Sequence, residues 1–128
     1  MAGLQIVSLN CHGFNSATVQ YIRSSLINVD CILLQETWLS DKTAYHLNDA
    51  LSDHFICFHT SAMEEKINSS ILTGRPFGGT AILVSNRLAK HTNSIITNSS
   101  RVTAVQLTNH KQQNIVISCI YMPWNDGE

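Results

Sequence analysis

At 128 residues, with 44% apolar and only 13% charged side chains, the chain is expected to form one globular domain with little fully solvated face, since an average domain carries roughly 25% charge. Eight Lys+Arg against nine Asp+Glu leave a formal net charge of −1, so composition lends no support to non-specific nucleic-acid binding, which draws on a basic excess. There is no basic segment followed by a long apolar stretch at the start, and no apolar run approaches ~18 residues, so a soluble, intracellular protein with no membrane partner is expected.

Leu4 to Asn10 is a short apolar run that stops at Cys11-His12-Gly13 and reads as a strand ending in a turn. Asn15 or Ser16 can cap the helix that follows, where Val19, Ile22 and Leu26 recur at i, i+3 and i+7 on one face. Asn28-Val29-Asp30 breaks that helix, and Cys31-Ile32-Leu33-Leu34 is a second strand, apolar on both faces. Strand, helix, strand over about 30 residues is a βαβ unit, so the two strands should be parallel with a right-handed crossover. A strand apolar on both sides belongs in a sheet covered on both faces.

Ala44 to Ser52 reads as a second short helix, with Leu47 and Leu51 at i, i+4, and Phe55 to His59 as a third strand. Ser61 to Pro76 is polar and punctuated, the best candidate for a long loop. Strands then follow closely at Gly79–Ser85, Ser94–Thr97, Val102–Leu107 and Asn114–Tyr121. Turn residues at Asn86, at Asn98-Ser99-Ser100 and from Asn109 to Gln113 separate them, so antiparallel neighbours are expected. The whole predicts an α/β chain: one mixed, mainly antiparallel β-sheet with helices on one face, opening with a βαβ unit. The other face then needs a second layer. After the last strand comes Pro123-Trp124-Asn125-Asp126-Gly127-Glu128, where a turn should lead onward. Residues 1–128 are therefore expected to be the N-terminal part of a single domain, cut after the strand ending at Tyr121.

The cysteines at 11, 31, 57 and 119 show no C-x-x-C spacing and read as small buried hydrophobes in a reducing compartment. In that setting the Asn-x-Ser sites at Asn68 and Asn98 are chance matches. Two polar residues stand where apolar strands give out. Asn10 ends the first strand, and Glu36 follows the second after Gln35. Functional groups collect outside the carboxyl ends of parallel strands, so both should sit at one edge. A carboxylate straight after an apolar strand is costly unless it meets a cation or is well hydrogen-bonded. Mg2+ suits it, taking one or two carboxylates and keeping several waters. The Asn10 amide could give an oxygen to that water shell or a donor to a phosphate. The bland alternatives are that Glu36 caps the next segment and Asn10 starts a turn. Tyr121, at the end of the last strand, could donate to a phosphate oxygen, although such a tyrosine is more often an interface aromatic.

Taken together, Ser8-Leu9-Asn10-Cys11-His12-Gly13, Leu34-Gln35-Glu36-Thr37-Trp38-Leu39, Gly78-Gly79-Thr80-Ala81-Ile82-Leu83-Val84 and Ile120-Tyr121-Met122-Pro123 resemble, in order and spacing, the motifs of the endonuclease/exonuclease/phosphatase superfamily. The wording is closest to the endonuclease domains of non-LTR retrotransposons, which are similar to apurinic/apyrimidinic endonucleases. The resemblance spans residues 4 to 123. It implies half of a four-layer α/β sandwich and metal-dependent phosphodiester hydrolysis on DNA, with Mg2+ as cofactor and Mn2+ as the alternative ion. Position by position, it makes Glu36 a metal ligand, Asn10 a metal-site and catalytic residue beside it, and Tyr121 the contact to the scissile phosphate. Gly78 and Gly79 match a structural glycine pair; no G-x-x-x-x-G-K-[ST] phosphate loop is present. Arg101 matches a position often basic in relatives, but reads more simply as a solvated turn residue.

The resemblance also implies groups that this sequence does not supply. A His–Asp pair should activate water and an Asp with a neighbouring Asn should assist the leaving oxygen, in D-x-N and S-D-H segments that follow the tyrosine. None of His12, His46, His54, His59, His91 and His110 has a strand-end D-H context, and His12 reads as a turn residue. Without a base, catalysis should fall by several factors of ~10²–10⁴. The uncovered sheet face should favour self-association. An inactive remnant, or a binding module using the exposed sheet, is the competing expectation. The substrate is open between abasic-site DNA, a target sequence, RNA and smaller phosphate esters.

Overall fold

The computed structural model describes residues 3–64 and 77–122. Most of the expected loop Ser61–Pro76, the sequon at Asn68 and the segment from Pro123 onward lie outside the described residues. Strand β1 is Ile6–Asn10, and helix α1 follows at Ser16–Tyr21. Asn15 starts the helix: its backbone is extended, and its side chain accepts from the N–H groups of Ala17 at 2.9 Å and Thr18 at 3.2 Å. Those donors have no acceptor within the first turn. The helix widens into a π-turn over Ile22–Leu26 that still buries Ile22 and Leu26. Strand β2, Cys31–Gln35, lies parallel to β1 with Ile6 opposite Cys31 and Asn10 opposite Gln35. The βαβ opening is as expected.

Helix α2, Tyr45–Leu51, buries Leu47 and Leu51, and strand β3 runs Phe55–Thr60. Strand β4, Thr80–Ser85, inserts between β2 and β3 and is antiparallel to both, giving the order β1-β2-β4-β3. A 3-10 turn over Asn86–His91 comes next. Thr92 Oγ1 donates to Leu88 O at 2.7 Å across its end, and strand β5 starts there, Thr92–Ile95, rather than at Ser94. Strands β6, Val102–Thr108, and β7, Asn114–Ile120, complete an antiparallel meander β5-β6-β7.

The α/β class, with a βαβ opening and helices packed on the first sheet, is what the structure shows. The strands divide between a sheet of four and a sheet of three, where the sequence pattern predicts one. Strand β4 already pairs with β2 on one edge and β3 on the other. No edge of β4, the strand just before it in the chain, is left for β5, and β5 begins a second sheet with β6.

Two cores result. On the helix side, Ile32, Leu34, Ala81 and Leu83 meet Ile22, Leu26, Leu47, Leu51 and Phe55. Between the sheets, Cys31, Ile82 and Val84 meet Val105, Leu107, Ile117 and Cys119. The inner face expected to lie open is thus covered by the second sheet. This accounts for the scarcity of charge: alternate residues of β2 and β4 feed different cores, and neither face is left to water. Exposed apolar side chains remain on the outermost strands, Ile6 on β1 and Ile115, Val116 and Ile120 on β7.

The cysteines are free, and burial pushes the thiols of Cys31 to about 11 and Cys57 to about 12, so they stay protonated and serve packing. Asp30, buried at the start of β2, accepts from Gln5 N–H at 2.7 Å and pairs with Arg87. Among the described residues no helix is long and apolar enough to cross a membrane. The two-core arrangement predicts that Ile82→Ala, fully buried between the sheets, costs ~2–5 kcal/mol in denaturant unfolding. The exposed Val116→Ala should stay within ~0.5 kcal/mol. Similar losses in both variants would refute the stacking of the sheets.

Candidate functional site

Parallel pairing in register brings the carboxyl ends of β1 and β2 side by side, and Asn10 and Glu36 leave from those adjacent ends. Asn10 Nδ2 donates to Glu36 Oε2 at 2.5 Å, while Asn10 Oδ1 accepts from His12 N–H at 3.0 Å. The amide therefore turns its nitrogen, not its oxygen, toward the carboxylate. His12 Nδ1 stands 3.8 Å from the same Glu36 oxygen. The Glu36 side chain is 20% exposed and the His12 side chain 74%. The carboxylate is at the floor of the site and the imidazole at its rim. His12 is the turn residue that its sequence context suggests, but its ring is aimed at Glu36.

The backbone around these residues is left-handed at three non-glycine positions: His12 at φ 49°, Glu36 at φ 55° and Trp38 at φ 61°. Each such residue costs ~1–2 kcal/mol unless its surroundings compensate. Here a lattice of backbone hydrogen bonds does so. On one side, Gly13 N–H donates to Glu36 O at 2.8 Å and Phe14 N–H to Thr37 O at 2.9 Å. On the other, Thr37 N–H donates to Gly79 O at 3.2 Å and Trp38 N–H to Gly78 O at 2.9 Å. Two glycines permit the approach. A Cβ on Gly13 would lie 2.5 Å from the Trp38 ring, and one on Gly79 would lie 2.3 Å from Thr37 Oγ1. The Gly78–Gly79 pair is structural, and what it receives is the turn that carries Glu36.

Thr37 is fully buried, and its hydroxyl lies 2.8 Å from His59 Nε2 while accepting from Leu39 N–H at 3.3 Å. Nothing in the sequence singles out His59, because its partner comes from another strand end. Its Nδ1 is buried with no hydrogen-bond partner among the described residues. Burial pushes this imidazole down to about 4, against the opposing pull of Glu64. It is neutral at pH 7 and acts as a prop under the Glu36 turn.

Tyr121, just beyond β7, brings the second sheet to the same place. Its N–H donates to Arg101 O at 2.9 Å, and its ring stands 3.9 Å from where a Gly78 Cβ would be. Burial first, then the nearby Glu36 charge, raise the phenol above its ordinary value, with Arg101 opposing. Arg101 itself is exposed in a turn. Between the sheets at this end, Thr103 Oγ1 lies 2.8 Å from Thr80 Oγ1 and 2.9 Å from Thr60 Oγ1. Gln35 Nε2 also reaches Cys119 Sγ at 3.3 Å.

Among the described residues no three His, Cys, Asp or Glu side chains are grouped to hold a metal. The donors at hand are one accessible carboxylate with an amide and an imidazole beside it. That set fits a divalent cation that keeps most of its water and is held by a single carboxylate, not a caged ion. A second carboxylate–imidazole approach, Asp53 Oδ2 to His54 Nε2 at 3.6 Å, lies at the start of β3, the opposite end of the sheet from Glu36.

Two outcomes follow from the packing around the turn. Gly79→Ala should melt well below the parent in a thermal scan, by more than ~1 kcal/mol of stability, because its φ of 92° and the Thr37 hydroxyl both exclude a methyl. A parent-like melting curve would refute the tight approach. For His59 the folded state disfavours the proton. Its contribution to stability is therefore complete above the ordinary value of 6.5 and is lost as pH falls toward about 4. Urea midpoints of the parent should fall across that window, with a shallower fall in His59→Gln. Equal slopes would show that His59 does not titrate as described.

Residues 7–120 match the sequence model of the Endonuclease/Exonuclease/phosphatase family, which covers both sheets and the strand ends carrying Asn10 and Glu36. No curated protein matches the chain. The family fold is that of phosphodiester and phosphate hydrolases, generally dependent on a divalent metal. With a match over most of its length, a mixed four-stranded sheet stacked on a three-stranded one and a polar site at the strand ends, the chain belongs to the endonuclease/exonuclease/phosphatase family.

Proposed function

We propose that this chain binds a divalent cation, Mg2+ or Mn2+, together with a phosphodiester of DNA, as part of a hydrolytic site of the retrotransposon-type, apurinic-endonuclease-like kind. The observation that carries the reading is the 2.5 Å contact between Asn10 Nδ2 and Glu36 Oε2 at the ends of two parallel strands. The choice of DNA rests on the order and wording of the four motifs, since a net charge of −1 adds nothing to it.

In this reading Glu36 holds the cation, and Asn10 fixes the orientation of that carboxylate and stands beside the water shell of the ion. When bound, the cation polarises a phosphoryl oxygen and stabilises the negative charge that develops on it. Tyr121 donates a hydrogen bond from its hydroxyl to a non-bridging phosphate oxygen. A phenol raised above its ordinary value stays protonated and so remains a donor. Burial of Thr37 and the Gly78–Gly79 contacts hold Glu36 ready before any ligand arrives, which saves reorganisation when charge develops.

A second reading, a binding module without chemistry, is favoured by one observation. The imidazole at the site, His12, meets a carboxylate that is itself the proposed cation ligand. The pair cannot also serve as a His–Asp base. The two readings separate in one experiment: cation-dependent nicking of supercoiled plasmid and of a duplex with one abasic site, with Glu36→Gln alongside. Hydrolysis that needs the cation and is lost in Glu36→Gln supports the enzyme. Cation binding through Glu36 with neither DNA cleaved supports the module. Indifference to Glu36 in both assays would sink the site.

A further inference from the structure

We propose that His12 is a second, nitrogen donor to the cation at Glu36, so that this site takes a first-row transition ion such as Mn2+ ahead of Mg2+. The proposal rests on the reading of Glu36 as the cation ligand.

The geometry favours a shared ion. Two neighbouring donors that each stand ~2.1 Å from one ion are ~3 Å apart, and His12 Nδ1 is already 3.8 Å from Glu36 Oε2. The ring needs to close by less than ~1 Å, and its exposed position leaves room for that movement. The backbone beneath it does not need to move. His12 N–H is held by Asn10 Oδ1 at 3.0 Å, and the next residue, Gly13, donates to Glu36 O at 2.8 Å. Those two bonds tie the imidazole-bearing turn to the carboxylate-bearing one.

The donor chemistry then sets the preference. Asn10 turns its Nδ2 to Glu36 and its Oδ1 to the His12 N–H, so what the amide presents to the carboxylate is a hydrogen-bond donor and not an ion ligand. The imidazole nitrogen of His12 stands beside the carboxylate instead. Mg2+ prefers oxygen ligands and sheds its water reluctantly, whereas imidazole suits first-row transition ions. A one-carboxylate, one-imidazole site should therefore raise affinity for the transition ion while leaving Mg2+ held by Glu36 alone.

The probe is Mn2+ itself, titrated with electron paramagnetic resonance of the free ion, then displaced with Mg2+. His12→Gly is the informative variant because glycine tolerates the left-handed backbone at φ 49°, and its melting curve checks the fold. His12→Gly is expected to weaken Mn2+ about tenfold or more while changing Mg2+ by less than about twofold. Loss of both ions in Glu36→Gln is expected alongside. Mn2+ affinity unchanged in His12→Gly, with loss in Glu36→Gln, would overturn the nitrogen donor and leave the Glu36 reading intact. Parent-like Mn2+ and Mg2+ binding in Glu36→Gln would overturn both.

Discussion

At the end of β2 the chain reverses through Glu36, Thr37 and Trp38, two of them left-handed, and the site exists only while that reversal is held. Three elements hold it. The segment between β1 and α1 supplies the N–H groups of Gly13 and Phe14 as donors, the residues just before β4 supply the carbonyls of Gly78 and Gly79 as acceptors, and β3 reaches the buried Thr37 hydroxyl through His59. None of these contacts involves the Glu36 side chain. The strain of the turn is carried by main chain and by buried neutral groups, so the carboxylate at its apex is left free to meet a ligand.

The same logic of division runs through the fold. Strands β2 and β4 send alternate residues into a helix-side core and an inter-sheet core. A chain built this way needs few charges, and the charges it has are concentrated at ends and turns. Arg87 meets Asp30 at one end of the first sheet, and Arg23 meets Asp53 beyond α2, held also by Ala50 O at 3.0 Å. At the opposite end, among the described residues, the Glu36 carboxylate meets Asn10 and His12 and no Lys or Arg, while the charges of Arg101 and Glu64 are felt at Tyr121 and His59. One end of the first sheet is thus closed by ion pairs, and the other keeps a carboxylate without a Lys or Arg partner.

Much of this is legible in the residues. The 3.6 and 2.0 periods identify α1, α2 and the strands, and a βαβ unit obliges Asn10 and Glu36 to share an edge. What is not legible depends on pairing between distant segments. Whether β5 joins the first sheet or pairs only with β6 depends on how distant strands assort, and no local pattern records that. The Thr37–His59 contact joins residues 22 apart in sequence and follows from β3 lying beside β4. The approach of His12 to Glu36 depends on two positive φ angles, which Gly13 hints at but does not determine. The 3-10 turn at Asn86–His91 is hidden for a local reason: the bond that closes it comes from Thr92, a residue that also suits a strand.

The three threonine hydroxyls at 60, 80 and 103 have a mechanical consequence. Glu36 rides on the first sheet and Tyr121 on the second, so any sliding of one sheet over the other changes the gap between carboxylate and phenol. Apolar contacts between sheets resist separation far more than shear, because they are non-directional. Hydrogen bonds are directional, and the cluster Thr60–Thr103–Thr80 spans the two sheets near the site. It acts as a pin that fixes the aperture between the two halves of the site. The gap between the Glu36 carboxylate and the Tyr121 phenol is thereby held by uncharged hydroxyls, two of them buried.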